Sequence, residues 1–230
     1  MTARSLVIGV TGNIATGKST VLDYLRSKGA LIIDADKLAH QAMAPGGPAY
    51  QEVVEAFGKE ILNPDGTINR KALGQIVFAD PEALRRLERI LHPRVFEMVK
   101  EAIAQAPSPV VVLEAVKLLE AGLSSTLCDE IWVVTASQET QLHRLKETRG
   151  MDEAQARRIM AAQSPQAAKV NQADRVIRND GTLEELYAQL DAIWADLQRR
   201  YPNRLGDLAR RGEQDLEDRR NRGAPETSLE

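Results

Sequence analysis

The chain has 230 residues, 43% hydrophobic and 27% charged, with a net charge of −3 and a pI near 5.8. That length and apolar fraction suffice to bury one full core. The weak negative charge and the lack of a basic tract interleaved with aromatics exclude a general attraction to nucleic acid, so an anionic ligand must be gripped locally. No apolar run approaches the roughly 18 residues of a membrane span. Met1 to Ser5 lead directly into the apolar stretch Leu6 to Val10 without an export signal. A soluble, cytoplasmic protein with no membrane partner is therefore expected. The one cysteine, Cys128, cannot form an intramolecular disulfide and is expected to be a small buried hydrophobe, in keeping with a reducing compartment.

In chain order, Leu6 to Val10 predicts a buried strand, followed by Gly12-Asn13-Ile14-Ala15-Thr16-Gly17-Lys18-Ser19 and a helix opening with Thr20, Val21, Leu22 and Leu25. Leu31 to Ile33 predicts the second strand, ending in Asp34-Ala35-Asp36. The gap to Pro109 is too long for one crossover but carries helical patterns such as Leu84, Leu87 and Leu91, which predicts an inserted helical lobe. Pro93 falls in that pattern and is expected to kink or divide the helix near His92, because proline donates no backbone hydrogen bond. Val110 to Leu113, Ile131 to Val134 and Arg175 to Ile177 predict three further strands. A second insertion, rich in Arg and Glu, runs from about Thr140 to Gln163. Leu183, Leu186, Leu190, Ile193 and Leu197 form a stripe of helical period. From Tyr201 the tail, 201–230, is charged and reads as a solvated helix or disorder, dispensable to the core. Strands alternating with helices predict an α/β fold, a five-stranded parallel sheet with right-handed crossovers and ligands at the carboxyl ends of the strands.

Gly, any four residues, then Gly-Lys-Ser occurs by chance in ordinary turns, but a strand before it and a helix after it point to a P-loop that binds ATP. Backbone N–H groups from Gly12 through Thr20, at the positive end of a helix, would converge on the phosphates. Lys18 would reach the β- and γ-phosphates, and the Ser19 hydroxyl would ligate Mg²⁺. Asp34 and Asp36, two apart on a strand end, would point the same way toward the phosphates. There Asp36 is the candidate base, unless one or both carboxylates cap the helix beginning at Lys37. Glu114 ends the third strand, where it either acts on Mg²⁺ through a water ligand or simply meets solvent.

Further signals follow: Ala39-His40, Pro45-Gly46-Gly47-Pro48-Ala49-Tyr50, Phe57-Gly58, Asp65-Gly66, Asn69-Arg70 with Leu73, and Leu87-Glu88 leading to His92-Pro93. Later come Gln141-Leu142 with Arg144, Gln163, Lys169, and Ala173-Asp174 running into Ile177 and Asn179. From Leu6 to Leu197 this pattern resembles the dephospho-CoA kinase family, P-loop kinases that phosphorylate the ribose 3'-hydroxyl of dephospho-CoA at the expense of ATP. The resemblance implies a core of about 1–36, 107–139 and 164–200, a lobe at about 37–106 that receives the CoA moiety, and a lid at about 140–163 over ATP. It implies Asp36 as the catalytic carboxylate, Asn179 beside the adenine, and phosphate-clamping arginines in the lid.

Two departures stand out. Where the family has Asp, any residue, Pro-Leu-Leu-Phe-Glu, this chain has Glu114-Ala115-Val116-Lys117-Leu118-Leu119-Glu120, so that Lys117 is either an added cation near the phosphates or a surface residue. Four residues after Arg144 the family's second lid arginine is replaced by Thr148, with Arg149 one position later; Arg157 and Arg158 are weaker candidates. His40, Arg70 and His92 are each either substrate contacts or structural, Arg70 with a helix start to cap. Against this reading stand another small-molecule or nucleoside monophosphate kinase and a non-catalytic nucleotide-binding module.

Overall fold

The computed structural model describes residues 4–116, 118 and 124–205. In chain order its elements are β1 (Leu6–Thr11), α1 (Lys18–Ser27), β2 (Leu31–Asp34), α2 (Ala35–Ala42), α3 (Tyr50–Phe57), α4 (Arg70–Ala79) and α5 (Pro81–Ala104). Then follow β3 (Val110–Glu114), β4 (Glu130–Thr135), α6 (Gln138–Arg149), α7 (Glu153–Ala161), α8 (Gln166–Val170), β5 (Arg175–Arg178) and α9 (Leu183–Arg200). The five strands lie where the sequence places them, each a residue longer at its carboxyl end, with β4 also gaining Glu130.

All neighbours in the sheet are parallel, in the order β2-β3-β1-β4-β5. The chain leaves β1 toward one edge and later returns to its other side at β4. The carboxyl end of β1 is thus the point where strand order reverses and a crevice forms. Alternation along each strand divides the core. Val110, Val112, Trp132 and Val134 face α1 and α9, while Val111, Leu113, Ile131 and Val133 face the inserted helices α2 to α5. Gly9 of β1 lies against the second layer, where a Cβ would fall 2.7 Å from Leu118 and 2.8 Å from the Cys128 sulfur. Cys128 is accordingly packed into the fold, and burial pushes its thiol up to about 12.

The inserted segment is helical, as the sequence predicts, but Pro93 does not divide it. α5 runs unbroken through Pro93, started by Asp80, whose Oδ1 accepts from the Glu82 amide at 2.8 Å, and by Pro81 in its first turn. An internal proline costs a helix about 3 kcal/mol. Leu87 and Ile90 before it, and Val95 and Val99 after it, are all buried in the same cluster. At about 1.5–3 kcal/mol for each large aliphatic side chain buried, that packing outweighs the lost hydrogen bond. The tail boundary also moves. Leu205, beyond the expected break at Tyr201, is buried in the core, and Arg204 pairs with Asp129 at 3.1 Å. The rest of the tail lies outside the described residues. No helix among the described residues is long and apolar enough to cross a membrane.

A buried charge ties β4, β5 and α9 together. Glu130, 2% exposed, accepts from Trp132 Nε1 at 3.0 Å and from Arg175 Nε at 2.8 Å, and pairs with Arg200. Burial pushes its carboxyl up, but the hydrogen bonds from Arg175 and Trp132 and the charges of Arg175 and Arg200 outweigh it and hold the carboxyl below 4.5. Glu130→Gln is expected to lose about 3 kcal/mol in urea denaturation at pH 7. Because the folded pKa is the lower one, the carboxylate's contribution is complete above pH 4.5 and is lost as pH falls through the folded value. The gap between wild type and variant should therefore narrow below pH 4.5, and a gap that widens there would refute the assignment.

Candidate active site

The loop after β1 ends in Gly17, the N-cap of α1, at φ 90° and ψ 26°. Glycine holds this left-handed conformation without steric cost. No side chain caps α1, so its first N–H groups remain available to a ligand. Ala15, at φ 58°, is the one non-glycine residue among those described with a positive φ, a local strain held by the surrounding bonds.

Those bonds come from two flanks. On one, Asn179 Nδ2 donates to the Thr16 carbonyl at 2.8 Å, and Arg144 of α6 donates to the Ala15 carbonyl at 3.3 Å and the Asn179 carbonyl at 2.8 Å. On the other, the Ile14 amide donates to Gln163 Oε1 at 2.7 Å and Asn13 Nδ2 donates to the Ser164 carbonyl at 3.1 Å. Within the loop, Thr16 Oγ1 donates to the Asn13 carbonyl and Lys18 Nζ to the Gly12 carbonyl, both at 2.9 Å. A cleft of about 510 Å³ opens over this frame, bounded by Gly17 to Thr20, Glu114, Arg144, Arg149, Asn179 and Leu183. Arg149 thus lines the cleft despite its shift by one position, and Asn179 lines it while its amide holds the loop.

Acidic side chains lie within electrostatic reach of the lysine. Burial lowers the Lys18 pKa, with Lys169 and Arg149 pushing the same way and Glu114 and Asp36 opposing them. Burial raises that of Glu114, helped by Asp34 and Asp36 and opposed by Lys18. Lys18, Glu114, Asp34 and Asp36 therefore share one electrostatic neighbourhood. The two aspartates do not reach it as expected, because β2 stops at Asp34 and Asp36 already lies in the first turn of α2. Asp34 is the N-cap, its Oδ1 accepting from the Lys37 amide at 2.9 Å, whereas the Asp36 side chain is exposed. Helix geometry, rather than strand alternation, sets Asp36 apart from the capping residue.

Ser19 is exposed in the first turn of α1. Among the described residues no three His, Cys, Asp or Glu side chains form a metal cage. Mg²⁺ prefers oxygen ligands and is commonly held by one or two carboxylates together with substrate phosphates. The Ser19 hydroxyl and the Glu114 and Asp36 carboxylates fit a Mg²⁺ that arrives with a nucleotide.

The remaining candidates divide. Arg70 does not cap α4, since Asn69 Oδ1 accepts from both the Lys71 and Ala72 amides at 3.1 Å; the Arg70 guanidinium instead lies 3.1 Å from His40 Nε2. His92 is half-buried inside α5, and Arg157 is paired with Glu153 at 2.7 Å. Lys117 lies outside the described residues. Two residues gain roles that neither period nor spacing signals: Gln163, bonded to the loop, and Lys169, 3% exposed, with Nζ 3.2 Å from the Val116 carbonyl and its charge felt by Lys18.

The dephospho-CoA kinase family model matches residues 6–185. A dephospho-CoA kinase of Geobacter metallireducens is 50% identical over 194 residues, 83% of this chain and 96% of that protein. One of Streptomyces avermitilis is 46% identical over 192 residues, 84% and 94% of the two chains. A solved structure from Thermus thermophilus superimposes with a TM-score of 0.73 at 34% identity, over 85% of this chain and 99% of that one. The dephospho-CoA kinase structure from Campylobacter jejuni gives 0.62 at 25%, over 84% and 97%. With a family model spanning most of its length and relatives aligned nearly end to end, the chain belongs to the dephospho-CoA kinase family.

Proposed function

We propose that this chain, acting in the cytoplasm, transfers the γ-phosphoryl group of ATP to the ribose 3'-hydroxyl of dephospho-CoA, giving coenzyme A and ADP. The observation that carries the reading is the uncapped N-terminus of α1 beside Lys18, facing acidic side chains contributed by β2, α2 and β3. The α1 amides and Lys18 bind the β- and γ-phosphates, with adenine lying in the cleft toward Leu183, beside Asn179. Ser19, and Glu114 through an intervening water, would hold Mg²⁺, which would supply charge neutralisation for the moving phosphoryl group.

Asp36 is exposed, free of the capping duty that occupies Asp34, and within electrostatic reach of both Lys18 and Glu114. It accepts a hydrogen bond from the acceptor hydroxyl, orients it and takes its proton. A loose phosphoryl transition state demands in-line positioning more than base strength. Arg149 and Arg144 belong to a lid of about residues 140–163. Arg149 lines the cleft and meets the phosphates, and Arg144 fixes the Ala15 carbonyl of the loop. The inserted lobe, about 37–106, receives the acceptor, with the Arg70–His40 pair on its wall and His92 supporting it from within α5.

ADP release measured with dephospho-CoA, AMP, UMP and shikimate as acceptors tests the proposal: dephospho-CoA alone should raise the rate above the ATP-only background. Lys18→Ala should lose most turnover. Asp36→Asn should fall by about 100-fold in kcat while its ATP affinity stays within about twofold; unchanged turnover would remove Asp36 from this role.

Gly17→Ala tests the loop itself. An added Cβ would sit 2.0 Å from Asn179 Nδ2, in a backbone conformation with φ 90° that alanine resists. ADP affinity by calorimetry should fall by more than about tenfold, and an unchanged affinity would show that the loop reshapes freely.

A further inference from the structure

The protein holds a second cleft, of about 550 Å³, on the other flank of the phosphate loop. Its walls come from the loop residue Asn13, from Gln138 and Gln141 of α6, from Met160 and Ala161 at the end of α7, and from Pro165 before α8. Among the described residues no acidic side chain or lysine lines it, and the one cation there, Arg157, is already paired with Glu153. Side-chain amides around apolar surfaces suit a flat, neutral heterocycle: the apolar groups take its faces and the amides its edges. Paired donors and acceptors of this kind are how Asn and Gln recognise adenine. At the loop end of the cleft Asn13 is 8% exposed, and its Oδ1 has no hydrogen-bond partner among the described residues. That oxygen is closed to solvent, so it meets an adenine amino group once the Asn13 side chain turns toward the cleft.

The reaction proposed above has two substrates that each carry an adenine, and the loop has a cleft of similar size on either flank. We propose that this second cleft holds the adenine of the acceptor, and that its amides set the base specificity of the acceptor site. The inference rests on the reading of the first cleft as the ATP site. Covalent chemistry favours the base over the rest of the acceptor. The 3'-hydroxyl sits on the ribose that bears the adenine, whereas the pantetheine amides lie beyond two phosphates, and Asn13 joins the cleft to the loop that binds the transferred group in the proposed reaction. The lining segment from Gln163 to Ala167 runs into α8, whose Lys169 acts electrostatically on Lys18.

Ala161 is exposed in the last turn of α7, so Ala161→Trp can narrow the cleft without disturbing the core. We expect the KM for dephospho-CoA to rise about tenfold while the KM for ATP and the melting temperature stay near wild type. Gln138→Ala, which removes an exposed edge amide without adding bulk, should raise the same KM by about threefold and carries the test if the tryptophan variant melts early. An acceptor in which hypoxanthine replaces adenine separates base recognition from general crowding. The wild-type chain should prefer the adenine form, and Gln138→Ala should lose part of that preference. An unchanged KM for dephospho-CoA in both variants, or a rise confined to ATP, overturns the inference while leaving the proposed function intact. Failure of the wild-type chain to release ADP with dephospho-CoA would instead overturn the proposed function.

Discussion

The site depends on a backbone constraint at Gly17. A left-handed residue at the N-cap turns the chain sharply into α1 and leaves the helix's first amides without a side-chain partner. The same turn directs the carbonyls of Ala15 and Thr16 outward, where Arg144 and Asn179 donate to them. One conformation thus supplies donors to the ligand on the inside and acceptors to the scaffold on the outside. Asn179 fits because Gly17 has no Cβ, so the glycine is required twice, for its dihedral angles and for the space it leaves.

Sheet order places the opposing charges around that turn. β1 lies between β3 and β4, so the loop leaves the sheet at its centre, with Glu114 at the end of the adjoining strand and Asp34 at the end of the next. In register, Asp34 faces Glu114 and Glu114 faces Val10, which carries the acidic edge to the loop. Burial favours the neutral forms of both Lys18 and Glu114, and each opposes that tendency in the other. A cation and a carboxylate that sustain each other's charge beside exposed helix amides are suited to polyanion chemistry that needs both phosphate binding and a metal-compatible edge.

The strands and the phosphate loop were legible in the sequence because each is local: an apolar β-branched run, then glycines at fixed spacing, then a helix. Other features depended on distant partners. Pro93 reads as a break, but the helix survives on side chains packed on both sides of it. The sequence singles out Asp36 as the base but gives Asp34 and Asp36 one direction from a strand end, whereas the early start of α2 makes Asp34 a cap and leaves Asp36 exposed. Arg70 reads as a capping candidate at a helix start, yet Asn69 has the shorter side chain and the correct position, which releases Arg70 to reach His40. Gln163 carries no periodic signal, since its significance is a bond to an amide 149 positions earlier. The Leu205 contact was hidden because a lone leucine in a charged tail gives no helical stripe to read.

The bonds on the two flanks of the loop bear on how a lid could work here. Arg144 lies in α6, near the start of the proposed lid, and Gln163 and Ser164 mark its end; both ends are hydrogen-bonded to the loop. Between them, α7 buries only Ala156. A segment with so little buried apolar surface can move at small cost, while its bonded ends resist displacement. Closure would then consist of α7 and the adjoining turn swinging over fixed ends, with the loop amides and Lys18 keeping their geometry. Preorganised donors of this kind stabilise transferring charge without reorganising at the moment of reaction, so the mobile part of such a lid is best confined to the segment that holds no phosphate ligand of its own in the open state.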